Sequence, residues 1–280
     1  MFNMQFRIRK IFVVLLLFFC VPFILGRRVT RMINGIVAKP KQFPFMVSLN
    51  TGKGFCNGFL ITSKSVLTAA HCLANKNATQ YKVYAGTIKR QKSGDKGEQL
   101  RLVSKVIQHP KYESLEAITA GSNSYDIGIV ILEKAVEINS FVDVICLMDK
   151  KRANPKRAVA VGYGRTEHYP SKKQINYLRY FKVNILNLGV CAVMFRASGL
   201  PITKSEICVS YTRAGGLCYG DSGSPLVKKI KGKYIALGVE SGRNIPPCNE
   251  PLLAAVYTRT APFKKWIQQN AENDHDLCFI

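Results

Sequence analysis

From Phe45 to Thr258, short apolar runs alternate with clusters of Gly, Asn, Lys and Pro. Phe45–Leu49, Phe59–Ile61, Val66–Thr68, Tyr81–Ala85, Arg101–Gln108 and Ile127–Leu132 make a first set. Arg157–Val161, Leu178–Ile185, Glu206–Val209, Ser224–Val227, Tyr234–Glu240 and Ala255–Thr258 make a second. Runs this short, bounded by turn-forming residues, predict strands, and their close recurrence predicts an all-β sandwich or barrel architecture. Two groups of about six strands, joined near Met148–Pro155 by a charged connector, read as two small β-barrels. A helix signal appears only near the end. There Pro262 takes a first-turn position, and Phe263, Trp266, Ile267 and Asn270 follow at helical spacing.

The N-terminus follows a different pattern. Arg7, Arg9 and Lys10 precede an unbroken apolar run, Ile11–Leu25, closed by the small residue Gly26. This reads as a secretory signal over residues 1–26, cleaved near Gly26. The run is shorter than the ~20 residues of a spanning helix, which argues against a membrane anchor. Secretion makes the cysteines disulfide candidates. Of nine, Cys20 leaves with the signal, and Cys56, Cys72, Cys146, Cys191, Cys208, Cys218, Cys248 and Cys278 remain, with no pairing dictated by sequence alone. Asn77-Ala78-Thr79 is a glycosylation sequon in a polar stretch suited to a surface loop.

Charge adds a partner class. The formal net charge is +24, and without residues 1–31 the chain keeps 35 basic and 17 acidic residues, formally +18. Such a field attracts polyanions. No block of five basic residues occurs and aromatics are not interleaved with the charges, so a nucleic-acid platform is disfavoured. A generally cationic, soluble secreted protein is the simpler reading of this charge.

The densest chemistry lies in Gly220-Asp221-Ser222-Gly223-Ser224-Pro225. A serine hydroxyl is a weak nucleophile until a base takes its proton and N–H groups stabilise the resulting oxyanion. Gly220 leaves room for its own N–H and that of Ser222 to meet one oxygen. Upstream, Thr68-Ala69-Ala70-His71-Cys72 offers a base, and Asp126 enters the apolar run Ile127–Leu132 as an orienting carboxylate. The chain order is His, Asp, Ser. These segments, with Phe43–Leu49, Phe55–Ile61, His109-Pro110-Lys111-Tyr112, Gly162-Tyr163-Gly164 and Val256-Tyr257-Thr258-Arg259, resemble the chymotrypsin-like (trypsin-like) serine peptidase family from Met32 to Ile267.

The resemblance implies two antiparallel six-stranded β-barrels with the active site between them, and a C-terminal helix. It implies a secreted, monomeric serine endopeptidase that needs no cofactor and acts on polypeptide substrates under the control of protein inhibitors. His71, Asp126 and Ser222 are the implied catalytic residues, with Gly220 and Ser222 as oxyanion hole. Cleavage after Arg31 would remove the pro-segment 27–31 and free the α-amino group of Met32 to pair with Asp221. The peptidase domain then spans 32–280. Methionine stands where the family mostly has isoleucine or valine, and Ser224 where it mostly has glycine. The family pairing joins Cys56 to Cys72, Cys191 to Cys208 and Cys218 to Cys248. The family's C-terminal helix returns toward the connector, so a Cys146–Cys278 bridge is expected, with an intermolecular bridge as its rival.

The specificity pocket stays open at this level. Gly216, six residues before Ser222, and Leu217 point to an uncharged pocket for an apolar side chain, of elastase or chymotrypsin type. Glu240, before Ser241, would recruit a basic side chain if it faced inward, and would be a solvated charge if it faced out. Ala255 lies on the opposite wall, and Arg243 narrows the entrance or selects acidic neighbours. A cationic binding or antimicrobial protein on a protease scaffold is the alternative function, opposed by the intact His71, Asp126 and Ser222. An esterase elbow, Gly-x-Ser-x-Gly, does not fit the spacing at Ser222.

Overall fold

The structure, a computed structural model, describes residues 35–91, 94–113, 125–149, 155–164, 177–196, 202–211, 220–241 and 254–280. The first barrel comprises β2 (Met46–Asn50), β3 (Phe55–Leu60), β4 (Ser65–Thr68), β5 (Lys82–Ala85), β6 (Gln99–Gln108) and β7 (Gly128–Leu132), following a short β1 (Ile36–Val37). It closes antiparallel in the order β2-β3-β4-β7-β6-β5. All five residues of β7 are buried, which is why this strand reads as an unbroken apolar run.

After the two-residue β8 (Cys146–Leu147), the second barrel comprises β9 (Arg157–Gly162), β10 (Arg179–Ile185), β11 (Glu206–Tyr211), β12 (Pro225–Ile230), β13 (Lys233–Glu240) and β14 (Ala255–Arg259). It runs β9-β10-β11-β14-β13-β12 and closes where Leu226 and Val227 of β12 pair with Ala160 and Val159 of β9. β1 lies antiparallel on β10 and β8 lies parallel on β13. Closure pairs both edge strands of each six-stranded sheet among the described residues. One apolar cluster joins Val47, Phe59 and Leu67 of the first barrel to Val161, Val227 and Val239 of the second, so the seam between barrels is itself core. Phe43 anchors that seam, with its ring 5.2 Å from Tyr180 and 5.1 Å from Tyr234.

Two helices are present among the described residues, and the sequence pattern shows only one. α2 (Lys264–Asn270) follows a 3₁₀ turn, Ala261–Phe263, that holds Pro262. α1 (Leu188–Arg196) was not expected, because its apolar residues lie on opposite faces. Cys191 and Phe195 are buried while Val190, Val193 and Met194 are exposed, so no single apolar stripe marks it. The Cys191–Cys208 disulfide ties α1 to β11.

The C-terminal tail straps the two barrels together. Glu272 O accepts hydrogen bonds from Thr62 Oγ1 (2.6 Å) and Ser65 Oγ (3.0 Å) of the first barrel. Further on, Leu147 N donates to Cys278 O (2.8 Å), Ile280 N to Leu147 O (2.9 Å), and Asp149 N to Ile280 O (2.7 Å). The tail therefore runs as an added strand beside β8, and Cys146 is joined to Cys278 with Cα atoms 4.5 Å apart.

Charge is unevenly divided. Between Arg157 and Asn270 the described acidic residues are Glu206, Asp221 and Glu240, and all three are buried. Arg157, Lys182, Lys229, Lys231 and Lys233 are exposed on β9, β10 and the β12–β13 hairpin. The solvent face of the second barrel is thus cationic among the described residues, and its negative charge is all inside. No helix among the described residues is long and apolar enough to cross a membrane.

Candidate active site

Ser222 sits on a turn flanked by two glycines in the left-handed region. Upstream, Gly220 has φ +89°, and downstream, Gly223 has φ +82°, a region that favours glycine. Gly223 is needed for a second reason: a Cβ there would overlap Asn57 O and Thr68 Oγ1 of the facing barrel. The turn is closed by Ser224 N donating to Asp221 O (3.0 Å), while Gly223 N donates to Glu240 O (2.9 Å). Among the described residues, neither the N–H of Gly220 nor that of Ser222 is taken by a protein carbonyl.

Asp221 is fully buried beside Ser222. Its Oδ1 accepts from Gly164 N (2.8 Å). A Cβ on Gly162 or Gly164 would overlap its carboxylate, so the two glycines form the wall that lets an acid lie this deep. Met32, its expected partner, lies outside the described residues, as do the signal and pro-segments.

His71 follows β4 on the 3₁₀ turn Ala70–Leu73. Its backbone N donates to Asp126 Oδ1 (2.9 Å) and its Nδ1 to Asp126 Oδ2 (2.8 Å). Ser241 Oγ donates to the same Oδ2 (2.7 Å). With Nδ1 carrying the proton, Nε2 keeps the lone pair of a neutral imidazole. Asp126 is 3% exposed, yet three donors satisfy its charge. Burial pushes its carboxyl up, but the charge and hydrogen bonds of His71, with Ser241, hold it below the ordinary value. Burial pushes the imidazole down, and the Asp126 charge and hydrogen bond, with a smaller pull from Glu240, leave it above its ordinary value of 6.5. The geometry is maintained against backbone strain. Tyr125 has φ +42°, which costs ~1–3 kcal/mol at a non-glycine residue. Its ring stacks on His109 at 4.9 Å and meets Phe263 at 5.8 Å, and these contacts hold the bend that delivers Asp126.

Glu240 is 2% exposed, so it is not a solvated charge. Its neighbours form a polar row across three strands. Glu240 N donates to Ser224 O (2.8 Å), and Glu240 pairs with Tyr257 in the β13–β14 register. Directly opposed residues place their side chains on one sheet face, so Ser224, Glu240 and Tyr257 line the same end of the barrel. The Ser224 and Tyr257 hydroxyls are buried without a hydrogen-bond partner. Burial, then the neighbouring Tyr211, Glu240 and Asp221, push the Tyr257 phenol well up. Ala255, two residues before Tyr257, faces the same way and is small. Gly216, Leu217, Arg243 and the Cys218–Cys248 pair lie outside the described residues.

Cys56 is joined to Cys72, with Cα atoms 6.2 Å apart. Cys56, His71 and Cys72 cluster tightly enough to resemble a metal site, but both sulfurs are consumed by the disulfide. Asn77 is exposed and lies on a surface turn, its Oδ1 accepting from Thr79 N (3.1 Å) and Thr79 Oγ1 (2.8 Å).

One residue of the site escaped sequence reading. Asn57, on β3, is fully buried and reaches across the seam. Its backbone N donates to Ser222 O (2.7 Å) and its Nδ2 to Gly220 O (3.0 Å). Because Gly220 O only accepts, the orientation of the amide is fixed. The only sequence signal was its place beside Cys56, where an Asn in a strand suggests nothing in particular.

Comparison with known proteins places the arrangement. The family model described as Trypsin matches residues 32–267. Lectizyme of Glossina austeni is 32% identical over 253 residues, which covers 87% of either chain. Coagulation factor IX of Oryctolagus cuniculus is 31% identical over 242 residues, covering 85% of this chain and 83% of the relative. The clotting factor G beta subunit of Tachypleus tridentatus is 30% identical over 260 residues, covering 86% and 80%.

Replacing Asn57 by Ala removes the bond to Gly220 O and leaves the backbone bond to Ser222. One neutral hydrogen bond contributes about 1 kcal/mol, so kcat for peptide hydrolysis is expected to fall about fivefold with KM little changed. Steady-state kinetics on N57A decide this, and an unaltered kcat would remove Asn57 from the site.

Proposed function

We propose that this chain, which belongs to the trypsin family of serine endopeptidases, cuts peptide bonds through an acyl-enzyme on Ser222. The observation that carries this reading is the lock on His71: two bonds to Asp126, itself held by Ser241, leave Nε2 as the proton acceptor. Ser222 Oγ attacks the scissile carbonyl carbon while its proton passes to His71 Nε2. The carbonyl oxygen takes the developing charge between the N–H groups of Gly220 and Ser222, where one such donor is worth about 3 kcal/mol in the transition state. His71 then gives the proton to the leaving nitrogen, and the C–N bond breaks. Water repeats the sequence on the ester, returning the proton to Ser222.

Residues 1–26 act as a secretory signal in this proposal, and residues 27–31 as a pro-segment cut after Arg31. The new α-ammonium of Met32 inserts beside Asp221. A buried ion pair is costly to form and costlier to break, so burial of Asp221 next to Ser222 suits a switch operated by proteolysis. N-terminal sequencing of active protein should begin at Met32, and activity that retains residues 27–31 would overturn the switch.

Two readings of the pocket remain, and different residues favour them. Gly216 and Leu217 favour an apolar residue before the scissile bond. The burial of Glu240 in one row with the Ser224 and Tyr257 hydroxyls favours a cationic one, since a negative charge placed there attracts a basic side chain over an apolar one. A Glu240→Gln variant separates them. Under the apolar reading its side-chain preference is unchanged, and under the cationic reading hydrolysis after Arg or Lys is lost. The same variant tests the electrostatics. The negative charge of Glu240 favours the imidazolium, so its removal must lower the pH at which activity is half lost on acidification.

The central test is Ser222→Ala. Peptide hydrolysis and labelling by a fluorophosphonate should both disappear while the protein still folds. Retained hydrolysis would overturn the mechanism, and binding activity that survives without hydrolysis would favour a non-enzymatic role.

A further inference from the structure

Arg90 stands at the edge of the site without a role in the chemistry above. A side chain built on Gly220 would first meet Arg90 Nη1, at 3.5 Å. The guanidinium therefore lies beside the turn that carries Gly220, although Arg90 belongs to the other barrel. Two contacts help to hold it there. Its Cζ lies 4.7 Å from the centre of the Phe55 ring, and its carbonyl accepts a hydrogen bond from the buried Ser48 Oγ of β2. The side chain keeps partial exposure.

The direction of a bound peptide follows from the chemistry. With the carbonyl oxygen between the N–H groups of Gly220 and Ser222, the residue before the scissile bond enters the mouth of the second barrel, toward Glu240 and Ala255. The leaving nitrogen must face His71 Nε2, which protonates it. Cys72 Sγ lies 3.6 Å from that Nε2 and is bonded to Cys56. Phe55 is the next residue. The leaving segment thus passes His71, then the disulfide, then Phe55 with Arg90 stacked on it.

We propose that Arg90 is a specificity residue that binds a carboxylate in the first three residues after the scissile bond. This rests on the endopeptidase reading of the same site. A guanidinium presents a planar fork suited to carboxylate, and stacking on an aromatic ring reduces the freedom lost when it engages one. The field around the protein has the matching sign: the second barrel offers no exposed acid among its described residues, and the chain as a whole is strongly basic. The carboxylate comes from an Asp or Glu side chain or from a free C-terminus, and the substrates distinguish these.

The test uses the full chain activated by cleavage after Arg31. Matched amide-capped peptides place Glu, Gln or Lys at each of the first three leaving positions. A further Gln peptide ends in a free carboxylate, and an anilide has no leaving peptide. At low salt kcat/KM should favour Glu over Gln about five- to tenfold at one position, with Lys lower still and the preference declining as salt is added. A higher rate for the free-carboxylate peptide alone would identify the C-terminus as the source. In Arg90→Gln the preference should fall to near one while anilide hydrolysis is kept. Equal rates for Glu and Gln in the native enzyme, or an undiminished preference in Arg90→Gln, would refute the assignment. Fluorophosphonate labelling of the same samples keeps the two readings apart. Intact labelling with no preference refutes Arg90 alone, whereas absent labelling refutes the endopeptidase and this inference with it.

Discussion

The turn bearing Ser222 belongs to one barrel and is held by the other. Asn57 of β3 donates to Ser222 O from its backbone and to Gly220 O from its side chain, and Gly223 approaches so closely that a single methyl group would collide with that strand. His71 is carried by the same half, one disulfide away from Asn57. His71 and Ser222 are consequently registered against each other through a few hydrogen bonds across a seam, not through contacts within one barrel. The apolar cluster that spans both barrels supplies the rigidity these bonds need, since close-packed interiors do not deform continuously. The C-terminal strap, bonded to Thr62 and Ser65 on one side and to Leu147 on the other, restrains the same seam from outside.

Buried negative charge is the second organising feature. Asp126, Asp221 and Glu240 are each 3% exposed or less. Burial of a carboxylate is unfavourable unless donors or opposite charge meet it. Asp126 is met by His71 and Ser241 and Asp221 by Gly164, and the proposed function adds an ammonium for Asp221. The exposed acids of a typical surface are missing from the described second barrel, so its outer face and its interior carry opposite signs. Salt weakens the field of the outer face more than that of the inner charges, because buried charges are screened less.

Much of this was legible in the chain. The strand runs were short and punctuated, and closed barrels require that of them. His71, Asp126 and Ser222 stood out because each sits in a distinctive local setting: beside a half-cystine, before an apolar run, between glycines. α1 was not legible, since Cys191 and Phe195 face inward while equally apolar neighbours face solvent. Asn57 and Arg90 were not legible either, because the turn of Gly220 and Ser222 that each approaches lies more than a hundred residues further along the chain, and neither residue type signals a role in a strand or loop. Glu240 was ambiguous in sequence for a simple reason. Inward and outward orientations differ by one residue of register, and only the pairing of β13 with Ser224 and Tyr257 resolves it. Local pattern determined which elements form and which side chains can do chemistry. Tertiary structure decided which of them meet, because hydrogen bonds across the seam and the burial of a charge depend on neighbours the sequence does not place side by side.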